Sequence, residues 1–183
     1  MRSEAVEFTV TFLGPFAVAT GTASGGLDHR VDLATPLPSS SLKGLMRHEA
    51  GVALGAPARW VDRIFGDGHG NPAAWRWTDA KLVDTAKTSL WSRVKLDEGG
   101  RSEERLLTVG EQIWADSAIF SVVPAGETKF ADQVLLRAAA RHISSLGHQR
   151  RRGFGWVSVT DGLPWTDQDS HTLLEEMAKG GPQ

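Results

Sequence analysis

Residues 6–12 alternate: Val6, Phe8, Val10 and Phe12 are apolar, and Glu7, Thr9 and Thr11 are polar. A side-chain period of two marks a strand with one buried face and one wet face. Such a strand needs partners in a sheet and a layer over its apolar side. A cover is legible further along. From Thr128 to Leu146, the residues Phe130, Val134, Leu135, Ala138, Ala139, Ile143 and Leu146 fall on one side of a helix. Gln133, Arg137, Arg141 and Ser144 fall opposite, and Gly147 is a natural helix stop.

The other elements are weaker but ordered. Gly14-Pro15 suggests a bend and residues 21–26 a glycine-rich loop. Pro36 and Pro38 lead into Ser39, Ser40 and Ser41, which are good N-cap residues for a helix carrying Leu42, Leu45 and Met46. Residues 60–79 read as irregular until Trp75–Val83, a second strand. A charged stretch with Gly99-Gly100 marks the tip of a long hairpin flanked by Trp91–Lys95 and Leu106–Trp114. Ala118–Val123 reads as a buried strand, Phe154–Val159 as the last strand, and residues 168–178 as a short acidic helix. Strand, helix, strand, strand, helix, strand is the split βαβ order. The expectation is an α+β fold: a ferredoxin-like (RRM-like) βαββαβ core with an inserted β-hairpin thumb. It occupies 1–165 as a single domain, and 166–183 form an acidic C-terminal tail.

Composition narrows the function classes. The chain has no cysteine, which removes disulfide frameworks and thiolate metal sites and fits a cytoplasmic protein. No run approaches the roughly 18 apolar residues of a membrane span, and Met1–Glu4 do not open a signal peptide. The formal net charge is −2, so any nucleic-acid site must be local. It has a candidate. Between Gln133 and Thr160 there is no acid, while Arg137, Arg141, Arg150, Arg151 and Arg152 are all basic. Asp161, Asp167, Asp169, Glu175 and Glu176 then reverse the sign. These acids read as a solvated tail, or as a contact for a basic neighbouring subunit.

Two segments carry candidate chemistry. Ser40 lies at a helix start, where unpaired amides favour anions, and Lys43 and Arg47 follow on one face. Plain capping and phosphate contact both fit. Gly147, Gly153 and Gly155 surround Arg150–Arg152, whose fork-shaped donors suit phosphates. A solvated basic turn is the other reading. Trp91 and Trp114 flank the hairpin, as base-stacking platforms or as packed side chains. Asp67-Gly68-His69-Gly70-Asn71 supplies too few ligands for a metal and reads as a loop.

Pro38-Ser39-Ser40-Ser41-Leu42-Lys43-Gly44 resembles the segment that opens the first helix in backbone proteins of type III CRISPR effectors, in the RAMP (repeat-associated mysterious protein) superfamily. Gly147-His148-Gln149-Arg150-Arg151-Arg152-Gly153-Phe154-Gly155-Trp156-Val157 is similar to that superfamily's glycine-rich loop, which precedes the last strand. Ile64-Phe65-Gly66 and Asp79-Ala80 match supporting positions, and Val94–Phe120 resembles the thumb with its return strand. The related CRISPR RNA-processing nucleases lack the Ser-Leu-Lys-Gly helix start.

The resemblance implies a cytoplasmic, antiviral ribonucleoprotein. Its partners would be guide RNA, target RNA and other effector subunits, including further copies of this chain, with no membrane role. Ser40, Lys43, Arg47, Arg137, Arg141, Arg150, Arg151, Arg152, Gly153 and Gly155 would hold RNA. Catalytic members of the family use an aspartate in the loop before the first helix. Asp28 is its best match here, and Asp32 is the alternative. Asp28 would bind a divalent metal such as Mg2+, His29 would serve as acid or base, and Arg30 would meet phosphate charge. Two functions follow: an endoribonuclease subunit that cuts paired target RNA, or a non-catalytic backbone or capping subunit that only binds guide RNA.

Overall fold

The structure is a computed structural model, and it describes residues 4–18, 28–67, 69–96, 102–147 and 154–179. The elements in order are β1 (Val6–Phe12), α1 (Ser39–His48), a π-helical turn (Glu49–Ala53), α2 (Ala58–Phe65), β2 (Trp75–Trp77), β3 (Lys81–Leu82), β4 (Lys87–Leu96), β5 (Ser102–Trp114), β6 (Ser117–Pro124), α3 (Phe130–His142), β7 (Val157–Thr160) and α4 (Asp167–Ala178).

The main sheet runs β2-β6-β1-β7, with β3 also on β6, and every pairing is antiparallel. Each helical crossover therefore joins two like-directed strands with a third between them, as the split βαβ order requires. β4 and β5 pair only with each other and form the thumb. Single backbone bridges join it to the body, Phe16 with Ile113 and His29 with Gly110.

The alternation of β1 holds. Phe8, Val10 and Phe12 are buried with Phe120, Val122, Trp75 and Val159 beneath the helices. The rings of Phe8 and Phe120 stack at 5.2 Å. Burying each such side chain contributes about 1.5–3 kcal/mol. β6 differs from the fully buried strand expected. Ala118, Phe120 and Val122 face the core, whereas Ile119, Ser121 and Val123 face away and are half-buried, because among the described residues no helix covers the second side.

Three further expectations are corrected. Residues 58–65 are helical rather than irregular: Trp60, Val61, Ile64 and Phe65 make one buried face, and Gly66 at φ 76° ends it. The second strand is two pieces, separated where the Thr78 amide and hydroxyl both bond Ser121. In α3, Phe130 is 51% exposed whereas Arg137 is buried, the reverse of the expected sides.

The acidic tail explains Arg137. α4 packs on α3, with Leu173 and Met177 against the core, so it is not a solvated extension. The Arg137 guanidinium donates to Asp161 (2.5 Å), Asp169 (2.9 Å) and the Pro164 carbonyl (3.0 Å). Arg141 donates to Asp161 (2.6 Å) and to the Leu163 carbonyl. Both cations lie over the Trp165 ring. On the other side of α3, fully buried Asp132 accepts from Trp60 Nε1 (3.0 Å), the Lys129 amide (2.9 Å) and Arg63. Each buried charge is thus paired and hydrogen-bonded, the condition for keeping it inside.

Arg137→Ala would leave Asp161 and Asp169 buried without their shared cation. Removing one partner of a buried pair costs about 3–5 kcal/mol, the loss expected in urea unfolding at pH 7. Burial opposes ionisation of Asp169, but the Thr166 amide and hydroxyl and Arg137 outweigh it and hold that carboxyl below its usual range. A depressed carboxylate stabilises above its unfolded value of about 3.9 and loses this as pH falls through the folded value. Wild-type stability should therefore drop below about pH 4, with a shallower drop in Arg137→Ala.

Candidate nucleic-acid interface

The start of α1 is held in an unexpected way. Its N-cap is Pro38, and no serine side chain caps it. The Ser39 amide instead donates to Asp79 Oδ1 at 2.7 Å. That amide, followed by the Ser39 hydroxyl, lowers the Asp79 pKa from the ordinary carboxylate value. Asp79 reaches this place because the chain breaks between β2 and β3, with Ala80 bridged to Leu37. A protein carboxylate thus already meets the positive end of α1.

Beside it lies an open cleft of about 390 Å³, lined by Ser39, Ser40, Lys43, Ala73, Trp75, Arg76, Trp77 and Ala125. Lys43 Nζ lies 5.6 Å above the Trp77 ring, which positions its charge over the cleft wall. Arg76 alternates with buried Trp75 and Trp77, so it projects outward. The sequence reading missed Arg76; the Trp-Arg-Trp alternation was the available signal. Arg47 does not join this group. It donates to Asp62 at 2.6 Å and to the Gly66 carbonyl, fastening α1 to α2.

A second group forms at the base of the thumb. The Asp28 amide donates to the Val109 carbonyl (2.9 Å), and the Val109 amide donates to Asp28 Oδ2 (2.8 Å). The Glu111 amide donates to the His29 carbonyl, and the His29 ring stacks on Trp91 at 5.8 Å. Arg30 approaches Glu111 at 3.9 Å. The loop before α1 therefore runs along β5 and delivers Asp28 at the surface. Asp32 turns back on itself, accepting the Ala34 amide at 2.8 Å.

Trp91 is not an open platform. It is 9% exposed, with Phe154 against its edge, and its Nε1 donates to the Glu111 carbonyl. Its ring crosses Gly110 so closely that a Cβ there would lie 2.6 Å from it. Trp114 is 47% exposed, and its Nε1 donates to Ser89 Oγ at 3.0 Å.

The glycine-rich loop is visible at its ends. Gly155 donates to the Pro15 carbonyl and accepts from the Leu146 amide. With φ at 69°, a side chain there would run into the Leu146 carbonyl. Arg150, Arg151, Arg152 and Gly153 lie outside the described residues. Arg137 and Arg141 are drawn to the α4 side by their carboxylates, away from the role of an open phosphate track.

Among the described residues no group of three or more His, Asp or Glu could enclose a metal. Asp28 offers one carboxylate, with one oxygen engaged by Val109. That donor set suits an ion of the magnesium type shared with substrate phosphates rather than one caged by protein. No described helix is long and apolar enough to cross a membrane.

A family model described as RAMP superfamily matches residues 9–158. No curated protein matches the chain. Among solved structures, a chain of the type III-B Cmr-beta bound to cognate target RNA is similar, with a TM-score of 0.65 and 11% identity over 87% of this chain and 97% of that one. A chain of type III-B Cmr-beta in its apo state gives a TM-score of 0.67 and 12% identity over 91% and 98%. At these identities the likeness is one of fold.

Gly110→Ala is expected to displace Trp91 from the thumb base. Overpacking of this kind costs about 1–3 kcal/mol, read as lost unfolding free energy together with a changed near-ultraviolet tryptophan signal.

Proposed function

The chain belongs to the RAMP superfamily, and from that premise we propose that it is an RNA-binding subunit of a type III CRISPR effector complex of the III-B Cmr kind. The observation that carries this reading is the cleft at α1, where Lys43 and Arg76 meet Ser39 and Ser40. Two cations and two hydroxyls border this opening, Lys43 and the serines from α1 and Arg76 from the edge strand β2, a set that suits the phosphates of an RNA strand. The arginines at 150–152 and the glycine-anchored loop extend the basic track in sequence. Guide RNA, target RNA and neighbouring effector subunits, including further copies of the chain, are the partners this reading requires.

Cutting of paired target RNA is the finer proposal. The ribose 2′-hydroxyl loses its proton and attacks the adjacent phosphorus. The 5′-oxygen leaves with a proton, giving a 2′,3′-cyclic phosphate and a 5′-hydroxyl. Asp28, delivered to the surface beside the thumb, is the carboxylate for this step. His29, its neighbour in the chain, is the group placed to hold or move a proton. Asp28 would also hold a divalent ion such as Mg2+, which when bound supplies positive charge to the phosphate oxygens.

A second reading, a subunit that grips guide RNA and cuts nothing, is favoured by the paired bonds between Asp28 and Val109. They give Asp28 a structural task of its own. Asp28→Asn separates the two, because its amide oxygen still accepts the Val109 proton while the charge is gone. Under the cutting reading this variant keeps its RNA and its stability but loses magnesium-dependent target cleavage. Wild-type complex that leaves paired target intact would sink that reading.

The binding reading predicts its own salt dependence. Each phosphate contact to a single strand contributes about 0.7 to the slope of log affinity against log salt. Lys43→Ala and Arg76→Ala should each weaken RNA binding and flatten that slope by about this amount, measured by fluorescence anisotropy. Unchanged slopes in both would remove the cleft from the RNA track.

A further inference from the structure

All helices of the main sheet lie on one side, and the face turned away from them is lined by Thr9, Thr11, Ile119, Ser121, Ser158 and Thr160. Within the strands, the charged side chains of this face are Lys81 and Glu7, with Arg76 on the edge strand β2, where it also borders the cleft at α1; the balance is positive. At its β7 edge stands Trp156, 49% exposed, beside Leu13, 68% exposed. The Leu13 amide donates to the Trp156 carbonyl at 2.8 Å, so the two side chains sit across one strand pair. Trp156 makes no side-chain hydrogen bond or ring contact among the described residues. It also follows Arg150–Arg152 by only four to six positions in the chain.

We propose that Trp156, with Leu13 at its flank, is a stacking platform for an unpaired RNA base on the open face of the sheet. This rests on the RNA-binding reading above and extends it from phosphates to bases. A half-exposed ring beside the hydroxyl-bearing Thr11 and Ser158 offers what a splayed nucleotide needs: a π surface and partners for base edges. The positive balance of the face suits the strand's own charge. A protein partner fits less well. A stable interface buries about 800 Å² on each side around an apolar centre, and here Trp156 and Leu13 stand at one edge, with Ile119 and Val123 separated from them by hydroxyl-bearing residues.

The test uses the full chain co-expressed with its neighbouring effector subunits, so that bound RNA is retained. RNA carrying 5-bromouridine is irradiated in the complex and the cross-linked peptides are identified by mass spectrometry. Binding of a labelled oligouridine is measured in parallel for Trp156→Ala and Trp156→Phe. We expect a cross-link on the peptide holding Trp156, about tenfold weaker binding in Trp156→Ala, and near wild-type binding in Trp156→Phe. The salt slope should not change, because stacking releases no counterions. Retained RNA with no cross-link there and unaltered binding in Trp156→Ala would overturn the platform while leaving the phosphate track intact. Burial of Trp156 by another subunit without RNA contact would overturn it too. A complex that holds no RNA at any salt would overturn both the platform and the RNA-binding reading.

Discussion

The main sheet buries one face under helices, and most of the molecule follows from that asymmetry. Phe8, Val10, Phe120, Val122, Trp75 and Val159 all point the same way, so α1, α2 and α3 must gather on that side. Water then keeps the opposite face, and its threonines and serines remain available to a ligand. The thumb joins this core at its base, through Ile113. β4 and β5 pair only with each other, and the base of the thumb is fastened to the body through Phe16–Ile113, His29–Gly110, the Asp28–Val109 bonds and buried Ile113.

Polar contacts then set the places of the helices. Arg47 ties α1 to α2 through Asp62, Asp132 ties α2 to α3 through Arg63 and Trp60, and Arg137 ties α3 to α4. Asp79 does the same for the start of α1, reaching it from the break between β2 and β3. The break looks like a flaw in a strand, yet it lets one carboxylate orient the helix whose next turn presents Lys43. The candidate cleft is thus assembled by contacts that themselves involve no ligand.

How much of this was legible beforehand depends on the length of each pattern. β1, α3 and β7 were readable because several residues repeat a period. α2 was not, because its eight residues sit between glycine-rich and proline-rich segments that dominate any longer window. The basic character of Arg137 and Arg141 was plain, but their role was not. A cation looks free until its carboxylates are placed, and Asp161 and Asp169 are 20 to 32 positions away. Trp91 and Trp156 show the same limit. Nothing in the local sequence says that Gly110 would let one ring lie flat against the thumb while the other stays in solvent.

The Arg137 network also has a bearing on synthesis. The guanidinium sits in α3, but its two carboxylates come later in the chain, and the second lies in α4. While the ribosome still shields those residues, the nascent domain cannot bury Arg137 without stranding a charge at a cost of several kcal/mol. Completion of the domain is therefore tied to release of the last helix. A prematurely terminated product would expose the flank of α3 that α4 normally covers, the kind of surface that chaperones and proteases act upon.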